Sequence, residues 1–264
     1  MIFITNPYLL LPFPKTISGL QLWLDSNVGL YDSTTGGSVV TSDSSPVARW
    51  EDQSGNSRHF IQSTADNRPL FLTNQINNKP VISFDGINDV LASNTSNTGG
   101  LLASCAGFSI FTVRKTKSTV SAAESTFITY SNLTTTRLHL NVGATDSSNV
   151  SFRRINTDAN TSITGGNGTS VVGSFQIASS VINFNPAIKT ASIYRNGALL
   201  SQNTNLTSTG STATTSGNSG IGGAPGGSLW ADVDIAEIII YGVALTEQQR
   251  LSVEEYLNRK WNIY

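Results

Sequence analysis

Residues 234–241 constrain the fold most, because a strand there is apolar on both of its faces. Side chains alternate across a β-strand, so Ile238 and Ile240 are predicted to point one way, and Ile235 and Ile239 the other. A strand that is apolar on both faces must be covered on both sides. We therefore expect a sandwich core against one face and a helix against the other.

The helix is predicted to follow after a few residues, at about residues 246–260. Thr246 is suited to be its N-cap, and Gln249, three residues later, completes a capping box. The apolar residues that recur on one helical face are Val253, Tyr256, Leu257 and Trp261. Leu251 falls off this stripe. The pattern predicts an amphipathic helix that packs its apolar stripe on the sandwich.

The middle of the chain consists of short β-like runs separated by turn residues, which is typical of an all-β sandwich. Asn196 and Gly197 lie between two such runs and predict a hairpin, because both residues accept positive φ. The glycine-rich stretches lack a following Lys-Ser/Thr, so they do not indicate a phosphate-binding loop.

The polar surface must be built mainly from uncharged groups. Ser, Thr and Asn make up 89 of the 264 residues, whereas charged residues make up 12 %. The chain has sixteen basic and seventeen acidic residues, and this balance argues against electrostatic binding of nucleic acid. With one cysteine and two histidines, a Cys/His zinc site is not expected. We predict no cofactor, with calcium left open below.

Residues 1–16 are predicted to form an extended arm, because the prolines fix φ and bias the residues before them towards β or polyproline II. The stretch lacks a basic start and is too short and interrupted for a signal peptide or a membrane helix. Its apolar residues are Ile2, Phe3, Tyr8, Leu9, Leu10, Leu11 and Phe13. Two readings stay open: an edge strand on its own domain, or an assembly arm that lies on a neighbouring subunit.

Six segments together resemble a known superfamily. They are residues 19–26 (GLQLWLDS), 49–56 (RWEDQSGN), 68–71 (RPLF), 78–91 (NKPVISFDGINDVL), 191–200 (ASIYRNGALL) and 232–261. In this order they resemble the concanavalin A-like (laminin-G-like) jelly-roll superfamily of lectin and glucanase folds. The resemblance implies an all-β, concanavalin A-like β-sandwich over residues 17–264, with the N-terminal arm before it and a short C-terminal α-helix. This fold hosts lectins, hydrolases, adhesion modules and virion parts, so it does not set the activity.

The resemblance also implies a candidate glycan-binding set of Asp85, Asn88, Asp89 and Trp50. The two acids flank a tight turn at Gly86, where Asp and Asn side chains commonly satisfy backbone N–H groups. Some laminin-G-like domains carry a calcium or ligand loop at such a turn, and calcium needs six to eight oxygens. Turn chemistry and ligand binding are both kept as interpretations.

A carboxylate motif is similar to the E-x-D-x-x-E motif of laminarinase-type retaining glucanases. In this chain it comprises Asp232, Asp234 and Glu237. The first position is Asp instead of Glu, and the motif lies in the last strand before the terminal helix rather than in mid-chain. Without a bulge, Glu237 would also point away from the two aspartates. The sequence therefore favours a structural role for Glu237 and predicts that the protein is not an enzyme.

We expect a structural or adhesive virion protein, specifically a bacteriophage capsid-decoration, tail or fibre component that has a glycan-binding jelly roll. Its expected partners are other virion proteins and further copies of itself, reached through the arm, and a cell-surface glycan; neither nucleic acid nor membrane insertion is expected. Such a protein is made in the host cytoplasm, released by lysis and located on the virion. The alternatives are a free carbohydrate-binding module of a secreted bacterial protein and a retaining glycoside hydrolase.

Overall fold

The computed structural model describes residues 13–93, 101, 105–117, 124–130, 137–142, 148–153, 161–164, 172–185, 187, 189–206, 219–227 and 229–264. Among these residues, two antiparallel sheets of nine strands each face one another, and one α-helix covers the outside of the first sheet. The predicted all-β sandwich with a C-terminal helix is confirmed.

The strands are numbered in chain order. Across sheet A they run β16 (Ala198–Asn203), β15 (Thr190–Arg195), β14 (Gln176–Asn183), β9 (Gly107–Thr116), β18 (Asp232–Tyr241), β7 (Lys79–Asp85), β6 (Leu70–Ile76) and β3 (Ser45–Pro46), and β1 (Leu20–Asp25) also pairs with β18. Across sheet B they run β13 (Thr161–Thr164), β12 (Ser148–Arg153), β11 (Arg137–Val142), β10 (Glu124–Tyr130), β17 (Ser219–Ile221), β8 (Leu91–Ser93), β5 (Phe60–Ile61), β4 (Arg49–Trp50) and β2 (Leu30–Tyr31).

Strand β18 is the centre of sheet A. It pairs with β9 along its length, with β7 at its first residues and with β1 at its last residues. Its pairing with β9 shifts register between Ile235 and Glu237, which is a β-bulge. A bulge adds one residue to a strand and so reverses the alternation of side chains beyond it.

The bulge corrects one prediction. Ile235 does not share a face with Ile239: it lies with Ile238 and Ile240 between the two sheets, whereas Ile239 packs under the helix. The expectation that β18 is covered on both faces is confirmed, because every residue from Val233 onward in this strand is buried.

The apolar residues form two cores. The sandwich core lies between the sheets, and its large side chains include Leu22, Leu24, Trp50, Phe60, Phe84, Phe108 and Phe184. The helix-side core lies between sheet A and the helix, and it includes Phe111, Val113, Ile239, Tyr241, Val253, Leu257 and Trp261. Sheet A is thus apolar on both faces at its centre, which is why a helix must cover it.

Helix α1 spans Glu247–Trp261 and begins as predicted. The Thr246 hydroxyl accepts from the backbone N–H of Gln249, and the Gln249 side chain accepts from the backbone N–H of Thr246, so the capping box is complete. Asn262 ends the helix in the left-handed conformation, with φ of 52°. In the part of the chain that the structure describes, no helix has the length and apolar character that a membrane span requires.

Of the predicted N-terminal arm, the structure describes the last residues alone. Phe13, Pro14, Lys15 and Thr16 form turns rather than an extended strand, and the carbonyl of Pro14 accepts from the backbone N–H of Ile17 at 3.1 Å. Phe13 packs on Tyr256, with 5.2 Å between the ring centres. The other predicted arm residues, Ile2, Phe3, Tyr8, Leu9, Leu10 and Leu11, lie outside the described residues.

Candidate functional site

The turn between β7 and β8 is built around the carboxylate of Asp85. Its Oδ1 accepts from the backbone N–H groups of Ile87 at 2.8 Å, Asn88 at 3.1 Å and Asp89 at 3.2 Å. Gly86 adopts a φ of 72°, and a side chain there would approach Cβ of Asp232 to 2.9 Å. The sequence Asp-Gly-Ile-Asn-Asp folds this way because one carboxylate satisfies three N–H donors and glycine supplies the positive φ.

The second carboxylate of the turn closes it. Oδ2 of Asp89 accepts from the backbone N–H of Asp85 at 3.0 Å. Burial and the neighbouring charge of Asp85 raise the pKa of Asp89 to about 6. For Asp85, burial opposes ionisation, but the three N–H donors and Lys117 outweigh it and lower the pKa. Within the described residues, no three His, Cys, Asp or Glu side chains gather as a metal-binding group, and turn chemistry accounts for the hydrogen bonds of both carboxylates.

Two lysines pair with aspartates of β18 near this turn. Lys115 lies on β9, and Lys117 directly follows that strand. Lys117 Nζ lies 2.9 Å from Asp232 Oδ1 and donates to Ser83 Oγ at 3.0 Å. Lys115 Nζ lies 2.7 Å from Asp234 Oδ2. Asp234 is 2 % exposed, so this carboxylate is neutralised inside the protein rather than open to a substrate.

The accessible groups at this end of the sandwich match the predicted set in part: Asp85 is exposed, whereas Asp89 is buried. The side chain of Ile87 is 68 % exposed at the tip of the turn, next to the half-buried Asn88. Trp230 is half-buried two residues before Asp232, which pairs with Asp85, and its Nε1 has no hydrogen-bond partner in the described structure. Trp230 was not among the predicted site residues, although the glycine-rich loop shortly before it in the sequence was a usable signal.

Trp50 is not available to a ligand at this site. It is fully buried in the sandwich core, and its Nε1 donates to the carbonyl of Asp25 at 3.1 Å. The structure therefore corrects its assignment: the ring has no free face on which a sugar could stack. Asp85, Asn88 and Asp89 do lie together, in one turn.

The carboxylate of Glu237 accepts four hydrogen bonds, two at each oxygen. Its Oε1 accepts from Trp23 Nε1 at 2.7 Å and from the Tyr256 hydroxyl at 3.0 Å. Its Oε2 accepts from Trp261 Nε1 at 2.6 Å and from Lys260 Nζ at 2.8 Å. Burial raises the pKa of this carboxyl, and the Lys260 ammonium opposes the shift.

The bulge places Glu237 on the same face of β18 as Asp234. Both point away from the sandwich core, because Val233, Ile235 and Ile238 occupy that core. Glu237 therefore does not point away from Asp234, as it would in a strand without a bulge. Yet Glu237 is 0 % exposed and lies under helix α1, so the helix covers the face that a glycosidase cleft would need.

No protein-family model matches the sequence, and no curated protein matches it. Among solved structures, the chain is similar to domain 4 of a GH43 extracellular arabinanase from Geobacillus stearothermophilus, determined in complex with arabinotriose. The TM-score is 0.59 at 14 % identity, and the match covers 89 % of this chain and 98 % of that domain.

Two further likenesses are to parts of larger domains. The receptor-binding domain of botulinum neurotoxin type G matches with a TM-score of 0.58 at 15 % identity, over 91 % of this chain and 52 % of that domain. The binding domain of Paraclostridial Mosquitocidal Protein 1 matches with a TM-score of 0.61 at 12 % identity, over 91 % of this chain and 53 % of that domain. The chain thus spans about half the length of these two domains, and the likenesses establish the β-sandwich fold.

Replacing Glu237 by Gln is expected to lower the free energy of unfolding by about 3 kcal/mol or more, as breaking a buried ion pair does. Whichever way the amide turns, its NH₂ group faces two of the four donors that Glu237 accepts from. Denaturant unfolding measures the effect. Glu255→Gln is the control, since its pair with Arg259 is exposed and such pairs contribute about 0–1 kcal/mol. Equal unfolding curves for the two variants would contradict the role assigned to Glu237.

Replacing Asp89 by Asn is expected to stabilise the protein at neutral pH. Since folding raises the pKa of this carboxyl from 3.8 to about 6, ionisation of Asp89 disfavours the folded state as pH rises through this window. The amide keeps an acceptor for the N–H of Asp85. We expect a gain of about 1–2 kcal/mol above pH 6, with solvent screening included, that vanishes below about pH 4. Unfolding at several pH values tests this, with the exposed Asp66→Asn as control; a gain that is the same at pH 3.5 and pH 7 would contradict it.

Proposed function

We propose that this protein is a non-enzymatic glycan-binding module. The observation that carries the proposal is the likeness of the fold, over about nine-tenths of the chain, to a domain solved with arabinotriose and to receptor-binding domains. A surface rich in Ser, Thr and Asn fits such a role, because hydroxyls and amides exchange hydrogen bonds with sugar hydroxyls.

The contacts of Asp234 and Glu237, two carboxylates of the glucanase-like motif, support a binding role rather than catalysis. A retaining glycosidase needs two carboxyl groups about 5–5.5 Å apart on either side of an accessible bond. Here Asp234 is paired with Lys115, and Glu237 is enclosed by two tryptophans, a tyrosine and a lysine. Each carboxylate is thus already committed to a structural contact.

The β7–β8 turn is the proposed glycan contact. The N–H groups of the turn and Oδ1 of Asp85 hold one another, so the backbone is rigid before a ligand arrives. The carboxamide of Asn88 makes no hydrogen bond within the described structure and can donate to and accept from a sugar. Trp230 and Ile87 add apolar surface at the same end of the sandwich.

The proposed setting is the surface of a bacteriophage particle, where the apolar residues of 1–12 attach the domain to other virion proteins or to further copies of itself. Twelve per cent charge leaves a surface that changes little with salt and pH, which suits a protein outside the cell. Phage proteins reach that location by lysis of the host. A free module of a secreted bacterial protein would share the sandwich but would not need the arm.

A glycan array with the full chain tests the binding proposal. We expect a specific subset of glycans to bind, and Asn88→Ala to weaken their binding about tenfold, because one good hydrogen bond to a ligand contributes about 1.4 kcal/mol. The matched control is Asn205→Ala, an exposed residue after β16, which four strands separate from β7. Absence of any binding by the wild-type chain, with both variants folded, would overturn the proposal.

The particle setting is tested separately, by deletion of residues 1–12 and by fractionation of virions. The deletion stops short of Phe13 and Pro14 because these residues pack on Tyr256 and accept a hydrogen bond from Tyr241. We expect the shortened chain to fold and to bind glycan but to lose assembly. Absence of the intact chain from purified particles, or unchanged assembly of the shortened chain, would favour the free module instead.

A further inference from the structure

A groove lies between residues 13–18 and the solvent-facing side of helix α1. Its volume is about 810 Å³, which falls within the range of small-molecule sites, about 300–1,000 Å³. None of the residues that line it belongs to the β7–β8 turn.

The apolar part of the groove is an aromatic pair. The rings of Phe13 and Tyr256 lie 5.2 Å apart at an angle of 49°. Tyr256 is held in place because its hydroxyl donates to Oε1 of Glu237 at 3.0 Å. Both rings are half-buried, and Lys260 Nζ lies 5.5 Å from the centre of the Tyr256 ring. The part of the pair that lines the groove is fixed before binding, so packing the apolar face of a ligand on it costs little side-chain entropy.

The polar part of the groove consists mainly of uncharged groups. Gln248 is exposed, and its carboxamide makes no hydrogen bond within the described structure. Gln249 also lines the groove; its Oε1 caps the helix, and its NH₂ group makes no hydrogen bond within the described structure. The hydroxyl of Thr16 is buried in the lining and has no hydrogen-bond partner among the described residues, so a ligand hydroxyl placed there would supply one.

The charged groups of the groove are already paired. Glu255 and Arg259 form an ion pair with one another across one helical turn. Lys260 Nζ lies 2.8 Å from Glu237 and 2.5 Å from Asp25, which hold it at the base of the groove. Among the described residues that line the groove, no cation or anion is then left unpaired, so a neutral ligand fits it best.

We propose that this groove is an oligosaccharide-binding site for a short neutral glycan, separate from the β7–β8 turn. An aromatic platform beside amides and hydroxyls matches a sugar, which has an apolar ring face and a rim of hydroxyls. The inference rests on the proposed glycan-binding function. It adds that the groove is a binding site and that the glycan bound there is neutral.

The test uses the full chain and a neutral glycan that the wild-type chain and Asn88→Ala bind with equal affinity, so that the β7–β8 turn does not contribute, measured in solution by calorimetry. If every bound neutral glycan depends on Asn88, the groove proposal is overturned. Ser252→Trp fills the groove from the helix side, and Leu251→Trp places the same ring on the neighbouring, outward-facing residue as control. Gln248→Ala removes a contact at an exposed position without risk to the fold.

We expect Ser252→Trp to weaken binding at least tenfold, Gln248→Ala to weaken it severalfold, and Leu251→Trp to leave it unchanged. Affinity should also be the same in 50 mM and 500 mM NaCl, because a neutral ligand is not screened. If Ser252→Trp and Gln248→Ala both bind with wild-type affinity, the proposal that the groove binds glycan is overturned, while the proposed glycan-binding function of the protein is not. Binding of charged glycans alone also overturns it, whereas no glycan binding by the wild-type chain overturns the proposed function itself.

Discussion

The buried carboxylate of Glu237 joins three elements that are far apart in the sequence. Trp23 comes from β1, Tyr256, Lys260 and Trp261 come from α1, and Glu237 itself lies on the central strand of sheet A. A buried acid is costly unless each of its oxygens is satisfied, and here each accepts two donors. The contact therefore ties the helix to the sheet, and β1 to β18, at one defined point.

The β-bulge in β18 makes this arrangement possible. In a regular strand, Glu237 would lie on the same face as Ile235 and would be directed into the sandwich core. The extra residue turns Glu237 towards the helix while it keeps Ile235, Ile238 and Ile240 in the core. Because of this bulge, β18 contributes apolar side chains to the sandwich core on one face and the carboxylate of Glu237 to the helix contact on the other.

Local features of the structure were predictable from the sequence, and features that depend on distant contacts were not. The capping box of Thr246 and Gln249 and the hairpin at Asn196 and Gly197 follow from residues a few positions apart, and both form, the hairpin with φ of 48° and 81°. The sequence did not predict which face of β18 carries Ile235, because no residue pattern near it indicates a bulge.

The candidate site shows the same division. The turn at Asp85 and Asp89 was identified because its chemistry is local. The burial of Trp50 depends on how the two sheets face one another, which the residues around this tryptophan do not encode. The donors that surround Glu237 lie up to 214 residues away, so its anchoring role could be weighed in advance but its partners could not be named.

The place of β18 in the chain has a consequence for folding. This strand follows all the other described strands in sequence, yet β1, β7 and β9 each pair with it. During synthesis those three strands are made with their shared neighbour missing, and they expose hydrogen-bonding edges until residues 232–241 leave the ribosome. Closure of the sandwich is therefore a late, non-local event, of the kind that makes β-proteins fold slowly and leaves them open to misassembly until the last strand is in place.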